Sequence, residues 1–93
     1  MTIGFCRIEL YLPESGSLKA KRSVVKALVA RIRQKFNVSV SEIEAHDLWQ
    51  KAILGLAIVS TDSAYANQVL SKVVDLVERE LRVQLLDYTL EMI

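Results

Sequence analysis

One cysteine, one histidine, one proline and three glycines occur in 93 residues, and each scarcity excludes something. With Cys6 alone no internal disulfide can form, which suits a reducing, cytoplasmic setting. A single histidine beside a single cysteine leaves too few soft donors for the three or four protein ligands of a zinc centre, so no metal is expected. The longest uncharged apolar run, AILGLAIVST, is about half of the roughly 20 residues a membrane-spanning helix needs, and no membrane association is expected. The opening MTIGFCRIELYLPESG has no basic leader before an apolar stretch and reads as no secretory signal. The phosphate-cradling pattern GxxxxGK[ST] is missing, and with it any nucleotide loop of that type. Nothing calls for a cofactor. Low-complexity segments and internal repeats are absent too, so residues 1–93 form one domain.

Acidic residues are missing from one long segment. Between residues 15 and 40 stand Lys19, Lys21, Arg22, Lys26, Arg31, Arg33 and Lys35 with no Asp or Glu among them. Five bases and all 11 acids lie elsewhere, so a net charge of +1 conceals a segment of +7 against a remainder of −6. Such polarity fits docking on an anionic surface.

What is present is hydrophobic pattern. Apolar residues make up 52% of the chain, enough for a core at this size. TIGFCRIELYL, residues 2–12, alternates as a strand, with Gly4, Cys6, Ile8, Leu10 and Leu12 toward the core and Ile3, Phe5, Arg7, Glu9 and Tyr11 on the other face. Pro13 and Gly16 mark a turn. Ser17 is the expected N-cap of a helix from Leu18 to about Phe36, whose Leu18, Val25, Leu28, Val29, Ile32 and Phe36 share one arc; Asn37 would end it in the left-handed conformation. NVSVSEIEA, residues 37–45, predicts a strand irregular near Ser41, with Glu42 and Glu44 on one face of a sheet edge. KAILGLAIVS is apolar on both faces, as a central strand is. Thr61, Asp62 and Ser63 offer caps for a second helix reaching about Leu81, with Asp75–Arg79 and Glu78–Arg82 as i,i+4 pairs. VQLLDYTLEMI alternates again, Leu85, Asp87, Thr89 and Glu91 sharing the face of Phe5 and Tyr11. The order βαββαβ, with two right-handed crossovers, predicts an α+β, ferredoxin-like split βαβ fold: a four-stranded antiparallel sheet with both helices on one face.

The first helix carries the functional expectation. Lys19, Arg22, Lys26 and Arg33 form a stripe about 20 Å long beside the apolar arc. Basic residues at a helix start meet the positive end of the macrodipole, an arrangement that calls for an anion. Ser15 and Ser17, with free backbone N–H groups, would complete a cradle of which Lys19, Lys21 and Arg22 are the side-chain half. Structured RNA is the first reading of that anion, and a small phosphate or carboxylate ligand bound by a homo-oligomer is the alternative. The plain counter-reading is a set of long side chains lying along a solvated helix. Stacking of bases on the sheet is not expected, since KAILGLAI has no aromatic. Phe5, Tyr11 and Trp49 are instead candidate interface residues, most simply in a homodimer. His46 beside Asp47 could suggest an oriented base, but no nucleophile accompanies them, so no catalytic residue and no enzymatic activity is expected.

Two stretches, LPxSxSLKxKR at residues 12–22 and DLWQxAxLG at residues 47–55, closely resemble the YlxP-like family, small bacterial proteins of unknown function. The likeness runs over nearly the whole chain. It implies the ferredoxin-like fold, and, because genes of this family commonly stand beside those for a translation initiation factor and a ribosome maturation factor, a partner in ribosomal RNA or the ribosome. It brings no catalytic residues. Ser17, Leu18, Lys19, Lys21 and Arg22 match the first motif; Asp47, Leu48 and Trp49 match the second.

Overall fold

A computed structural model describes all of residues 1–93. Strand β1 (Thr2–Tyr11) leads to helix α1 (Leu18–Lys35); strands β2 (Ser39–Glu44) and β3 (Lys51–Ser60) form a hairpin; helix α2 (Ser63–Glu78) precedes strand β4 (Gln84–Met92). The sheet runs β2-β3-β1-β4 with every neighbouring pair antiparallel. This is the α+β, ferredoxin-like split βαβ arrangement that the order of apolar patterns predicts.

Alternation in β1 holds along its length. Cys6, Ile8, Leu10 and Leu12 are buried against the helices, while Ile3, Phe5, Arg7 and Glu9 are half-buried on the face without helices. Ala52, Ile53, Leu54, Leu56 and Ile58 of β3 are all buried, as a strand between two neighbours requires. Val25, Leu28 and Ile32 of α1 and Ala66, Leu70, Val73, Val74 and Val77 of α2 close the core. Gly4 is needed for that closure: a Cβ there would lie 2.9 Å from Ile58 Cγ2 and 3.0 Å from Leu70 Cδ1. The Cys6 thiol is fully enclosed, and burial pushes its pKa up to about 11, which leaves it an inert apolar filler.

Several local expectations change. α1 ends at Lys35 with Phe36 extended at its C-cap, and Asn37 is not left-handed; Ala45 is the one non-glycine residue with positive φ. The β2 irregularity falls between Glu42 and Glu44, so Ile43 is the extra residue and the two glutamates point to opposite faces. Glu42 pairs with Leu54 on the helix side, Glu44 with Ile53 on the open side. A second bulge lies opposite Glu9 and Leu10, where Leu85 pairs with Leu10. Leu85 therefore packs toward the core and does not line the open face with Asp87, Thr89 and Glu91.

α2 ends at Glu78, short of Leu81, because Glu80 draws the chain into a turn. Its buried carboxylate accepts from Arg82 Nε at 2.7 Å, from the Arg82 backbone N–H at 3.3 Å and from Arg31 Nη1 at 2.8 Å. Neither Asp75–Arg79 nor Glu78–Arg82 forms; Arg82 turns to Glu80. The Arg82 hydrogen bond, foremost, holds the Glu80 carboxyl below its ordinary value. A depressed carboxylate stabilises the fold above the unfolded pKa of about 4.3 and loses that contribution as pH falls through the folded value. Glu80→Gln should accordingly reduce stability at pH 7 by about 1–2 kcal/mol and flatten the acid limb of a urea-midpoint-versus-pH curve below about pH 4.5.

Candidate functional site

Sheet topology gathers three connections and the start of the first helix at one end of the molecule. Tyr11 at the end of β1 pairs with Lys51 at the start of β3 and with Gln84 at the start of β4. The β1–α1 turn, the start of α1, the β2–β3 connection and the α2–β4 turn thus lie together, and both motif stretches are among them. Leu12 N–H donates to Gln50 O at 2.8 Å and Gln50 Nε2 to Pro13 O at 3.1 Å.

Lys21 organises this end. Its side chain has no exposed surface and is the bulkiest such side chain in the protein. Nζ lies 3.0 Å from Glu42 Oε2, 2.8 Å from Ala45 O, 3.2 Å from His46 O and 3.2 Å from Lys51 O. An ammonium has three protons to give, so four acceptors at these distances satisfy it fully, and one of them neutralises it. Ala45 holds its left-handed φ of 64°, costly for a residue with a Cβ, while its carbonyl accepts from both Lys21 Nζ and Leu48 N. The connection carrying His46, Asp47, Leu48 and Trp49 is thereby pinned onto the first turn of α1.

Three of the expected anion ligands make contacts within the chain. Lys21 points inward and its anion is the chain's own Glu42. Ser15 is buried, its Oγ donating to Ser17 O at 3.1 Å. Ser17 Oγ accepts from Ala20 N at 3.0 Å as an ordinary N-cap. Lys19, Arg22 and Lys26 are exposed and belong to no ion pair. Arg33 is exposed as well, with Nη2 donating to Val40 O at 2.8 Å, which fixes its direction. These four occupy positions i, i+3, i+7 and i+14, one side of α1; Arg31, on another side, pairs with Glu80.

The face without helices has a different character. Arg7 pairs with Glu44 at 2.9 Å and Lys51 with Glu9 at 3.1 Å, while Asp87 and Glu91 are exposed on the same face and add uncompensated negative charge. Phe5, Tyr11 and Trp49 do not form one patch. Phe5 is half-buried between Ala57 and Glu91, about 20 Å along β1 from Tyr11. Tyr11 and Trp49, with Leu48, Gln50 and Lys51, line a shallow open groove of about 420 Å³. The His46 ring turns to Glu42 O, 3.1 Å from Nε2, and not to Asp47. No three His, Cys, Asp or Glu side chains are grouped to hold a metal ion, and no helix is long and apolar enough to cross a membrane.

An antiparallel β2-β3-β1-β4 sheet under two helices, with a lysine-pinned hairpin and a basic first helix, defines a small α+β domain of the split βαβ class. Within that class, the family described as "Protein of unknown function (DUF503)" matches residues 3–90, and the chain belongs to it. It is 40% identical over 76 residues to "Uncharacterized protein YlxP" of Bacillus subtilis (strain 168), covering 82% of this chain and 83% of that one. A solved structure, "Structure of the REP associates tyrosine transposase bound to a REP hairpin", superposes with a TM-score of 0.47 and 8% identity over 98% of this chain, which spans 55% of that protein.

Proposed function

We propose that this protein is a non-enzymatic, cytoplasmic accessory factor that docks on structured RNA, ribosomal RNA foremost, through the exposed side of α1. The observation that carries this reading is the row Lys19, Arg22, Lys26 and Arg33: four cations on one helix side, none offset by an acid, in a chain that pairs Lys21, Arg31, Arg7, Lys51 and Arg82 internally. Long basic side chains spaced over about 20 Å match successive phosphates and carry no base-reading geometry. Binding would follow RNA shape and backbone, with the acidic open face turned away. A small anion held at the start of α1 is less well supported, since Lys21, Ser15 and Ser17 are already engaged there.

Titration of ribosomal RNA fragments against salt tests the proposal. Four phosphate contacts predict a log–log slope of roughly −3, and Arg22→Glu with Lys26→Glu should flatten it by about two units and weaken binding at least tenfold. Both residues are exposed, so circular dichroism should not change. Affinity indifferent to salt, or unaltered by the double reversal, would refute it.

A further inference from the structure

The two edges of the sheet are unlike. β2 is a six-residue strand, bulged and showing Ser39, Ser41 and Glu44 to solvent, features that discourage pairing with another chain. β4 has nine residues and exposes Leu86 (51%) and Tyr88 (44%), with Leu81 (97%) just ahead of it. Ile3 and Ile93 exchange both backbone bonds, at 3.1 and 2.8 Å. By the antiparallel alternation, Glu91 and Thr89 turn their backbone groups to β1, and Leu90 and Tyr88 turn theirs outward. The outward Tyr88 N–H is held provisionally by its neighbour's side chain, Asp87 Oδ1 at 2.8 Å.

We propose that β4 is the seam of a two-fold homodimer, the strands of two copies pairing antiparallel about Tyr88. Charge selects the register. Centring the pair on Asp87 would set that carboxylate against its own copy, and centring it on Thr89 would set Asp87 against Glu91; like charges directly opposite destabilise a sheet. Centring on Leu90 leaves Leu86 uncovered. The Tyr88-centred pairing places Asp87 opposite the partner's Thr89 and Leu86 opposite the partner's Leu90, and lets the partner's Tyr88 carbonyl replace Asp87 Oδ1 as acceptor. The two sheets become one of eight strands. Because α1 lies against β2 and α2 against β1 and β4, a two-fold axis normal to the sheet keeps all four helices on one side, the α2 helices central and the α1 helices outermost.

Sedimentation velocity on the full chain over micromolar to millimolar concentrations tests this, with Thr89→Asp and Thr89→Lys as probes. Thr89 is exposed and lies across from Arg7, so aspartate there is compatible with the monomer fold, and a lost dimer reads the seam. The wild type should dimerise, Thr89→Asp should raise the dimer dissociation constant on the order of tenfold by meeting the partner's Asp87, and Thr89→Lys should lower it. A wild type monomeric at millimolar concentration, or a dimer indifferent to both substitutions, would overturn the proposal.

Discussion

Replacing Lys21 by alanine is expected to lower the unfolding free energy by about 3–5 kcal/mol, because it empties the space of a fully buried side chain, leaves the half-buried Glu42 carboxylate without its cation and takes the ammonium from the Ala45, His46 and Lys51 carbonyls. For a domain of this size that is a drop in melting temperature on the order of 15 °C or more. Urea unfolding followed by tryptophan fluorescence suits the measurement, since Trp49 sits on the connection that Lys21 holds through Ala45 O, His46 O and Lys51 O. Lys21→Met keeps most of the stem's packing and removes only the ammonium, so it should still cost about 2 kcal/mol or more. Adding Glu42→Leu to it should recover part of the loss and not all, because the His46 and Lys51 carbonyls still lack the ammonium and Ala45 O keeps only Leu48 N. A change below about 1 kcal/mol for Lys21→Ala would mean that the lysine is solvated and the pinning is wrong.

Gly4→Val should destabilise by about 2–3 kcal/mol through overpacking. The new Cβ meets Ile58 Cγ2 at 2.9 Å, Leu70 Cδ1 at 3.0 Å and Met92 Sδ at 3.2 Å, side chains from three different elements, and the valine methyls add to the crowding. Gly16→Ala is the matched control. Nothing lies within 4 Å of a Cβ there and its φ is not positive, so alanine should be neutral or stabilise by up to about 1 kcal/mol through the unfolded chain. Equal losses at both sites would show that backbone freedom, and not the close approach of α2, decides Gly4.

Where one residue's neighbours in sequence set its environment, the fold was legible. Alternation in β1, the two-sided apolarity of β3, and the Ser17 and Asp62 caps all rest on local rules, and the structure carries each of them. Lys21 was legible in part. It stands at i, i+4, i+7 and i+11 with Val25, Leu28 and Ile32, inside the buried arc, yet its charge invited a surface role; only Glu42 and the turned-in carbonyls, 21 to 30 residues away, make burial of an ammonium tolerable. Alternation flagged a break in β2 near Ser41, two residues from the bulge at Ile43, and gave no sign of the bulge at Leu86, since one extra residue reverses every face that follows it and the pairing partner decides where it falls. Glu80 was hidden for the same reason: Arg31 comes from another helix, and the i,i+4 rule had already spoken for Arg82. The row Lys19, Arg22, Lys26 and Arg33, by contrast, could be read from helical spacing alone.

The extra residue in β2 has a wider consequence. Because Ile43 interrupts the pleat, one short border strand delivers an acid to each layer of the protein, Glu42 beneath to Lys21 and Glu44 above to Arg7. Were this arm an unbroken pleat of the same length, both acids would fall in one layer and one of the two cations would stand without its carboxylate, so the local irregularity is what lets a single border strand serve both faces of the sheet.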